Sequence, residues 1–231
     1  AFVASVSGAL AATDGIAIGP LYYLPPGVPR VPGDAGADAW AFDDLRAAGR
    51  MHPARPRGTP GRVDRDDRYE LIWGLCIAMR RSTFHRLGGF HTGYDGYAGE
   101  DTDLAFTARR AGVPMLVVGD AVVFHQHHGV YEPPVQQMRA TVSNAARFRR
   151  RWGEWPMRGW LAAFRDMGLI EWRPQAEDVQ ILRDPSPEEV SAARREAALP
   201  FRLRGDSCEG SCDVSRQAGG VSGAAPRPDR G

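Results

Sequence analysis

Lysine is absent, so all 29 basic charges are arginine, and against 28 acidic residues they leave a net charge of +1. A chain this close to neutrality has no bulk field to hold nucleic acid, and no nucleic-acid partner is expected. No run approaches the ~20 consecutive apolar residues of a membrane-spanning helix, so membrane contact is expected to be peripheral at most. A basic segment followed by an apolar core, the mark of an export signal, is also missing, and the expected location is cytoplasmic. Cysteine is scarce. Cys76 sits in an apolar run, while Cys208 and Cys212 lie in a Gly/Ser-rich stretch, and an odd count of three gives no disulfide framework. Methionine is lacking at position 1, where Ala1 opens directly on a helical pattern, and further sequence is expected upstream.

What is there suits an α/β domain. The 231 residues are 43% hydrophobic and 25% charged, ordinary values for a globular chain with a sizeable core. Phe2, Val3, Val6 and Leu10 share one helical face, ended by Asp14-Gly15, and Ile16–Gly19 then reads as a short buried strand. A short helix is predicted near 39–48. Residues 52–68, rich in Pro, Arg, Gly and Asp, predict an exposed loop. The apolar runs Tyr69–Trp73 and Leu75–Met79 around Gly74 predict strands, or one kinked strand. Ser82 is placed as the N-cap of a short helix closed by Gly88-Gly89. A Gly/Tyr loop over 93–99 leads into a helix from Glu100 to Ala111. Strands follow at 115–118 and 121–124, then a long amphipathic helix from about 134 and another after Pro156. From Asp184 the composition turns to Pro, Glu, Arg, Gly and Ser. The expected organisation is therefore an α/β domain over 1–183 and a low-complexity, largely disordered tail over 184–231.

The segment Gly99-Glu100-Asp101-Thr102-Asp103-Leu104 carries the most chemistry. Three carboxylates fall in the first turn of a helix just after a flexible loop, where the helix dipole favours negative side chains. A carboxylate at such a junction can face a cleft and accept a proton from a substrate hydroxyl. Taken alone, the same acids are explained as complements to the helix dipole. A second constellation, His125-Gln126-His127-His128, follows an apolar strand, and imidazoles at a strand end can converge on a divalent ion. A lone histidine there is more often a hydrogen-bonded core residue, and three together also suit a solvated loop.

Neighbouring residues shift the balance. Trp73-Gly74-Leu75-Cys76-Ile77-Ala78-Met79-Arg80-Arg81, then Phe84, then Leu87-Gly88-Gly89-Phe90, then the Gly99–Leu104 segment resemble the C-terminal half of family 2 glycosyltransferases. They are similar too to the related galactosyltransferase C-terminal region. The likeness is strong over 69–128 and weaker to about 175. It implies a GT-A fold, a nucleotide-diphosphate sugar donor, a saccharide or other hydroxyl acceptor, and a divalent Mn²⁺ or Mg²⁺. By position it implies Asp101 as catalytic base of an inverting hexosyltransferase-like reaction. It also implies acceptor contacts from Glu100, Asp103, Tyr97 and Gly99, a donor contact at Gly74, and metal binding by His125. His127 and His128 are second choices. Tyr94 and Tyr97 are the candidates for stacking on a sugar ring, whereas Trp152, Trp155 and Trp160 at helical spacing read as packing residues.

The Asp-x-Asp that GT-A enzymes place at the end of a buried strand has no clear counterpart. Asp64-Arg65-Asp66 has the spelling, yet the Gly/Pro context predicts an exposed charged loop. The nucleotide-binding half is accordingly expected upstream of Ala1. Two other functions fit parts of the pattern. One is a metal-dependent hydrolase built on the histidines, disfavoured because no helical His-x-x-x-His pair is present. The other is a non-catalytic remnant that binds saccharide or a partner through the Gly/Tyr loop.

Overall fold

The computed structural model describes residues 2–28 and 42–195. Along the chain run α1 (Phe2–Ala12), β1 (Ile16–Ile18), β2 (Leu21–Tyr23), α2 (Phe42–Ala48), β3 (Arg50–Met51), β4 (Val63–Asp66) and α3 (Arg81–Leu87). Then come α4 (Glu100–Arg110), β5 (Met115–Val118), β6 (Val123–His125), β7 (Val130–Tyr131), α5 (Met138–Trp152) and α6 (Arg158–Asp166). The last elements are β8 (Ile170–Glu171), β9 (Gln180–Ile181), α7 (Pro187–Ala193) and β10 (Arg194–Arg195). No helix among the described residues is long and apolar enough to cross a membrane.

The central sheet has the order β1-β5-β4, with β1 parallel and β4 antiparallel to β5. Strands β1 and β5 are buried along their whole length, and their side chains alternate between two faces. Ile16, Ile18, Met115 and Val117 meet Leu104, Ala105 and Ala108 of α4 on one side. Ala17, Leu116 and Val118 meet Val6, Ala9 and Leu10 of α1 on the other. Helix–sheet–helix layering thus follows from apolar runs in which neither parity is polar. A second sheet, β3-β2-β6, pairs β2 in parallel with β6 and sets Tyr23 beside His125. Downstream, α5 and α6 bury Met138, Val142, Ala145, Leu161 and Phe164 in a core shared with Trp155 and Trp172. The mixed α/β class is as expected from the sequence.

Several local expectations change. Residues 69–79 are not a strand: Tyr69–Leu71 is a 3-10 turn, Trp73–Cys76 turns again, and only Ala78 pairs with the sheet, exchanging hydrogen bonds with Ala17 of 2.7 and 2.9 Å. The run is apolar because Tyr69, Leu71 and Ile72 plug the core beneath α4, with the Tyr69 hydroxyl donating to the Val113 carbonyl at 2.7 Å. Conversely, Asp64-Arg65-Asp66 is a strand. β4 is drawn in because the 58–61 loop wraps the Gly119-Asp120 turn, where Gly61 N–H reaches Asp120 Oδ1 at 2.9 Å and Gly119 N–H reaches Arg62 O at 3.0 Å.

Only glycine fits at 119, since an added Cβ would stand 1.8 Å from the Thr59 carbonyl oxygen. Helix α3 is capped by the backbone at Arg80 rather than by Ser82, and its Thr83 and Arg86 both bind Asp14 after α1. Within the stretch expected as tail, Ser186 and Glu189 form a reciprocal capping box for α7, and β10 pairs with β7. The rest of that stretch, from 196, lies outside the described residues, as do positions 39–41 of the expected short helix.

Leu104, fully buried between α4 and the sheet, gives a direct check of this core. Leu104→Ala is expected to cost about 2–5 kcal/mol in urea denaturation. Gly8→Ala, at an exposed α1 position with open space around it, is expected to stabilise by about 0.5–1 kcal/mol.

Candidate active site

Helix α4 begins at Gly99, whose φ of 104° is natural only for glycine. That turn delivers Glu100, Asp101 and Asp103 into the first helical turn, as read from the sequence. Asp101 is half-buried and points back at the Trp73–Cys76 turn. Its Oδ2 accepts the Gly74 N–H at 2.8 Å, and its Oδ1 accepts the Thr102 N–H at 2.6 Å. The Thr102 hydroxyl also donates to Oδ1 at 3.2 Å, so these donors fix the carboxylate plane and leave Oδ2 as the oxygen with a second lone pair for another proton. Gly74, the expected donor contact, is thus placed directly against the expected base.

Asp103 does something different from its expected acceptor contact. It is 1% exposed, and its carboxylate meets Trp152 Nε1 at 2.6 Å, Arg151 Nε at 2.9 Å and the Tyr94 hydroxyl at 3.1 Å. Falling two positions after Asp101 on the helix, it faces inward while Asp101 faces the 73–76 turn. Asp103 ties α4 to α5 and to the glycine loop, and no acceptor can reach it. Tyr94 shares that burial: desolvation first, then the Asp103 charge, pushes its phenol far above the usual range. Its ring also closes on Gly99, where an added Cβ would stand 3.0 Å away. Tyr94 and Gly99 are therefore parts of the scaffold.

The remaining loop residues stay on the surface. Tyr97 is exposed, with its ring centre 5.9 Å from that of Trp160. Partial desolvation by its neighbours, then the nearby charges of Glu132, Asp101 and Glu100, raise its proton affinity. Tyr97, Glu100 and Asp101 therefore share one face, next to a tryptophan that was expected only to pack. Asn144 on α5 holds the loop in place. Its Nδ2 donates to the carbonyls of Asp95, Tyr97 and Ala98 at 2.9–3.1 Å, and its Oδ1 accepts from Asp95 N–H at 3.3 Å. A buried asparagine within an amphipathic helix was the available signal for this role.

Beside the Trp73–Cys76 turn lies an aromatic and basic cluster that joins the candidate histidines to residues of the 52–60 stretch and of β2. Tyr23 sits 5.2 Å from His125, and His125 sits 5.1 Å from His128, all between ring centres. Burial, then the His128 charge, lowers the proton affinity of His125, which favours the neutral imidazole that binds metals. Among the described residues no three His, Cys, Asp or Glu side chains gather into a metal site, and His127 has no part in the imidazole pair. His52 packs edge-on against Trp73 at 4.9 Å, and Arg55 lies buried beside the same indole. The 52–60 stretch is therefore not simply an exposed loop. Asp66 is held by Arg68 through its Oδ1 and Oδ2, and Asp64 pairs with Arg62 at 3.2 Å, so neither is presented as a metal ligand.

The family described as the N-terminal domain of galactosyltransferase matches residues 61–127. Residues 61–127 are a galactosyltransferase-like region. The sequence likeness pointed to a C-terminal region of such enzymes, whereas the matching description is of an N-terminal domain. No curated protein and no solved structure matches the chain. The galactosyltransferase-like region runs from just before β4 to just past β6 and holds Gly74, Tyr97, Gly99, Glu100, Asp101, Asp103 and His125. Tyr23, His52, Arg55, Asn144 and Trp160 reach the same neighbourhood from outside it.

His52 makes the cluster sensitive to acid. Burial, then the Arg55 charge, pushes its imidazole down to about 4 from an ordinary 6.5. Below 6.5 the unfolded chain takes up a proton that the folded one refuses until about 4, so stability falls across that window as pH drops. Allowing for the part of the ring that water reaches, the loss is about 1–3 kcal/mol. Urea melts of wild type and His52→Gln at pH 7 and pH 4.5 should show a smaller acid loss in the variant by that amount.

Proposed function

We propose that this chain is a glycosyltransferase that passes a sugar from a nucleotide-diphosphate donor to an acceptor hydroxyl. Asp101 serves as the general base. The observation that carries this reading is the Asp101 carboxylate, oriented by the Gly74 and Thr102 amides at the mouth of the glycine loop, inside a galactosyltransferase-like region. The acceptor hydroxyl approaches across the face shared by Tyr97 and Glu100. Asp101 removes its proton as the oxygen attacks the anomeric carbon, and the nucleoside diphosphate leaves on the opposite side, which inverts that centre. Glu100 hydrogen-bonds a second acceptor hydroxyl, and the Tyr97 ring packs against the apolar face of the sugar. The glycine loop itself is not free to swing, because Asn144 and Tyr94 anchor it, so the acceptor surface is preorganised.

His125 and His128 are the residues that would hold a divalent ion. Two imidazoles suit a transition metal better than Mg²⁺, which prefers oxygen ligands, so Mn²⁺ is the better fit of the two ions considered. A divalent ion held by these two residues would supply positive charge for the leaving diphosphate. A metal-dependent hydrolase gains no support, since the carboxylates of α4 do not join the histidines.

Asp101→Asn keeps the size and one accepting oxygen of the side chain, gives up one of the two backbone hydrogen bonds and removes the basicity. Transfer, measured with a radiolabelled sugar nucleotide, should fall about 10²–10⁴-fold while donor affinity holds. A preserved rate with only a lower melting temperature would make Asp101 a helix-dipole residue.

For the metal, Mn²⁺ binding followed by electron paramagnetic resonance should weaken in His125→Ala and His128→Ala and stay unchanged in His127→Ala. Equal binding by all three variants would remove the pair from consideration.

A further inference from the structure

Arg55 is 2% exposed, rare for a side chain with a permanent charge. Its Nη1 donates to the Leu71 carbonyl at 3.1 Å, and its guanidinium carbon lies 5.2 Å from the centre of the Trp73 ring. These contacts fix the orientation of the group and use one of its edges. Nε and Nη2, which form the opposite edge, are buried and find no acceptor among the described residues. That edge presents two parallel N–H bonds, the fork that grips a carboxylate or phosphate with both prongs.

No carboxylate among the described residues pairs with it. Asp101 acts on it electrostatically, but no hydrogen bond or ion pair joins the two side chains, and Asp101 turns to the Gly74 and Thr102 amides instead. Tyr23 and Cys76 face it too, and burial raises both, so neither supplies a negative charge near neutrality. A buried cation with an open fork is a costly feature in a resting fold, and it is retained to best effect where an anion arrives.

We propose that Arg55 is the anion-binding residue of the donor site, offering its Nε–Nη2 fork to the phosphoryl oxygens of the departing nucleoside diphosphate. The placement suits that role. Tyr23 links Arg55 to the His125–His128 pair on one side, while the Trp73–Gly74 turn links it to Asp101 on the other. Charge arriving on the leaving group thus meets a fixed cation set apart from the base. Both prongs are closed to water, so an oxyanion reaches them with a local shift of the residues around that edge. The assignment rests on the transferase reading.

The test is calorimetric titration of the 231-residue chain with inorganic diphosphate, first in EDTA and then with Mn²⁺. Wild type should bind in both buffers, and Arg55→Met should bind about 10–100-fold more weakly in EDTA, the loss expected for charge-assisted hydrogen bonds. Arg55→Lys, which keeps the charge without the fork, should fall between the two. Unliganded Arg55→Met should melt at or above the wild-type temperature, since it loses an unpaired buried charge, yet gain no stabilisation from diphosphate. If Arg55→Met does not fold, Arg55→Lys decides: weaker binding supports the fork and unchanged binding overturns it. Absence of wild-type binding in both buffers, or equal affinity in Arg55→Met, also overturns it. Equal affinity with intact sugar transfer would sink the Arg55 assignment alone. Arg55-dependent binding without any transfer activity would uphold the anion site and sink the transferase reading.

Discussion

The buried carboxylate of Asp103 holds three separately folded pieces of chain in one relation. It accepts from Trp152 and pairs with Arg151 near the end of α5, and it takes the Tyr94 hydroxyl from the glycine loop while sitting in the first turn of α4. All three donors converge on Oδ1, and a charge this deep needs such partners, so losing one would raise the cost of keeping it buried. Asp101 precedes it by two residues on a rigid turn, so the direction of the proposed base is inherited from this knot. Asn144 works at the same junction by neutral means, closing the loop carbonyls that the turn at Gly99 leaves without partners.

Much of the site was legible because the relevant signals are local. An acidic first turn after a glycine, a histidine at a strand end and a Gly/Tyr loop each depend on a few consecutive residues, and each local element forms where its residues stand. What could not be read is set by distant parts of the chain. Nothing in the spelling of Pro53-Ala54-Arg55-Pro56 says that Arg55 will be enclosed, because the enclosure comes from Trp73 and the Leu71 carbonyl. Asp103 and Asp101 look interchangeable in the sequence. They part company only because α5 delivers an indole and a guanidinium to one of them.

Fold assignments divide along the same line. Strands β1 and β5 were found from unbroken apolar runs, which need no partner to be recognised. The run at 69–79 has the same composition but spends its hydrophobicity plugging the floor of α4, with Gly74 and the turns around it preventing an extended path. Composition therefore reported burial correctly there and conformation incorrectly. At 63–66 the error ran the other way, since the charged residues look like loop and become a strand only because the adjacent turn draws them alongside β5.

That strand has a bearing on how the molecule meets others like itself. β4 is the outer member of the central sheet, and its free backbone edge is the natural template for a second chain to lengthen the sheet. The sequence Val63-Asp64-Arg65-Asp66 makes this edge a poor one to dock against. Any strand laid beside it must bury or match a charge at three successive positions, and Asp66 and Asp64 are already engaged by Arg68 and Arg62. The glycine- and proline-bearing loop that leads into it also limits the edge to four residues, too short to seed a stable ladder. An exposed sheet margin is thereby made inert towards self-association without a covering helix.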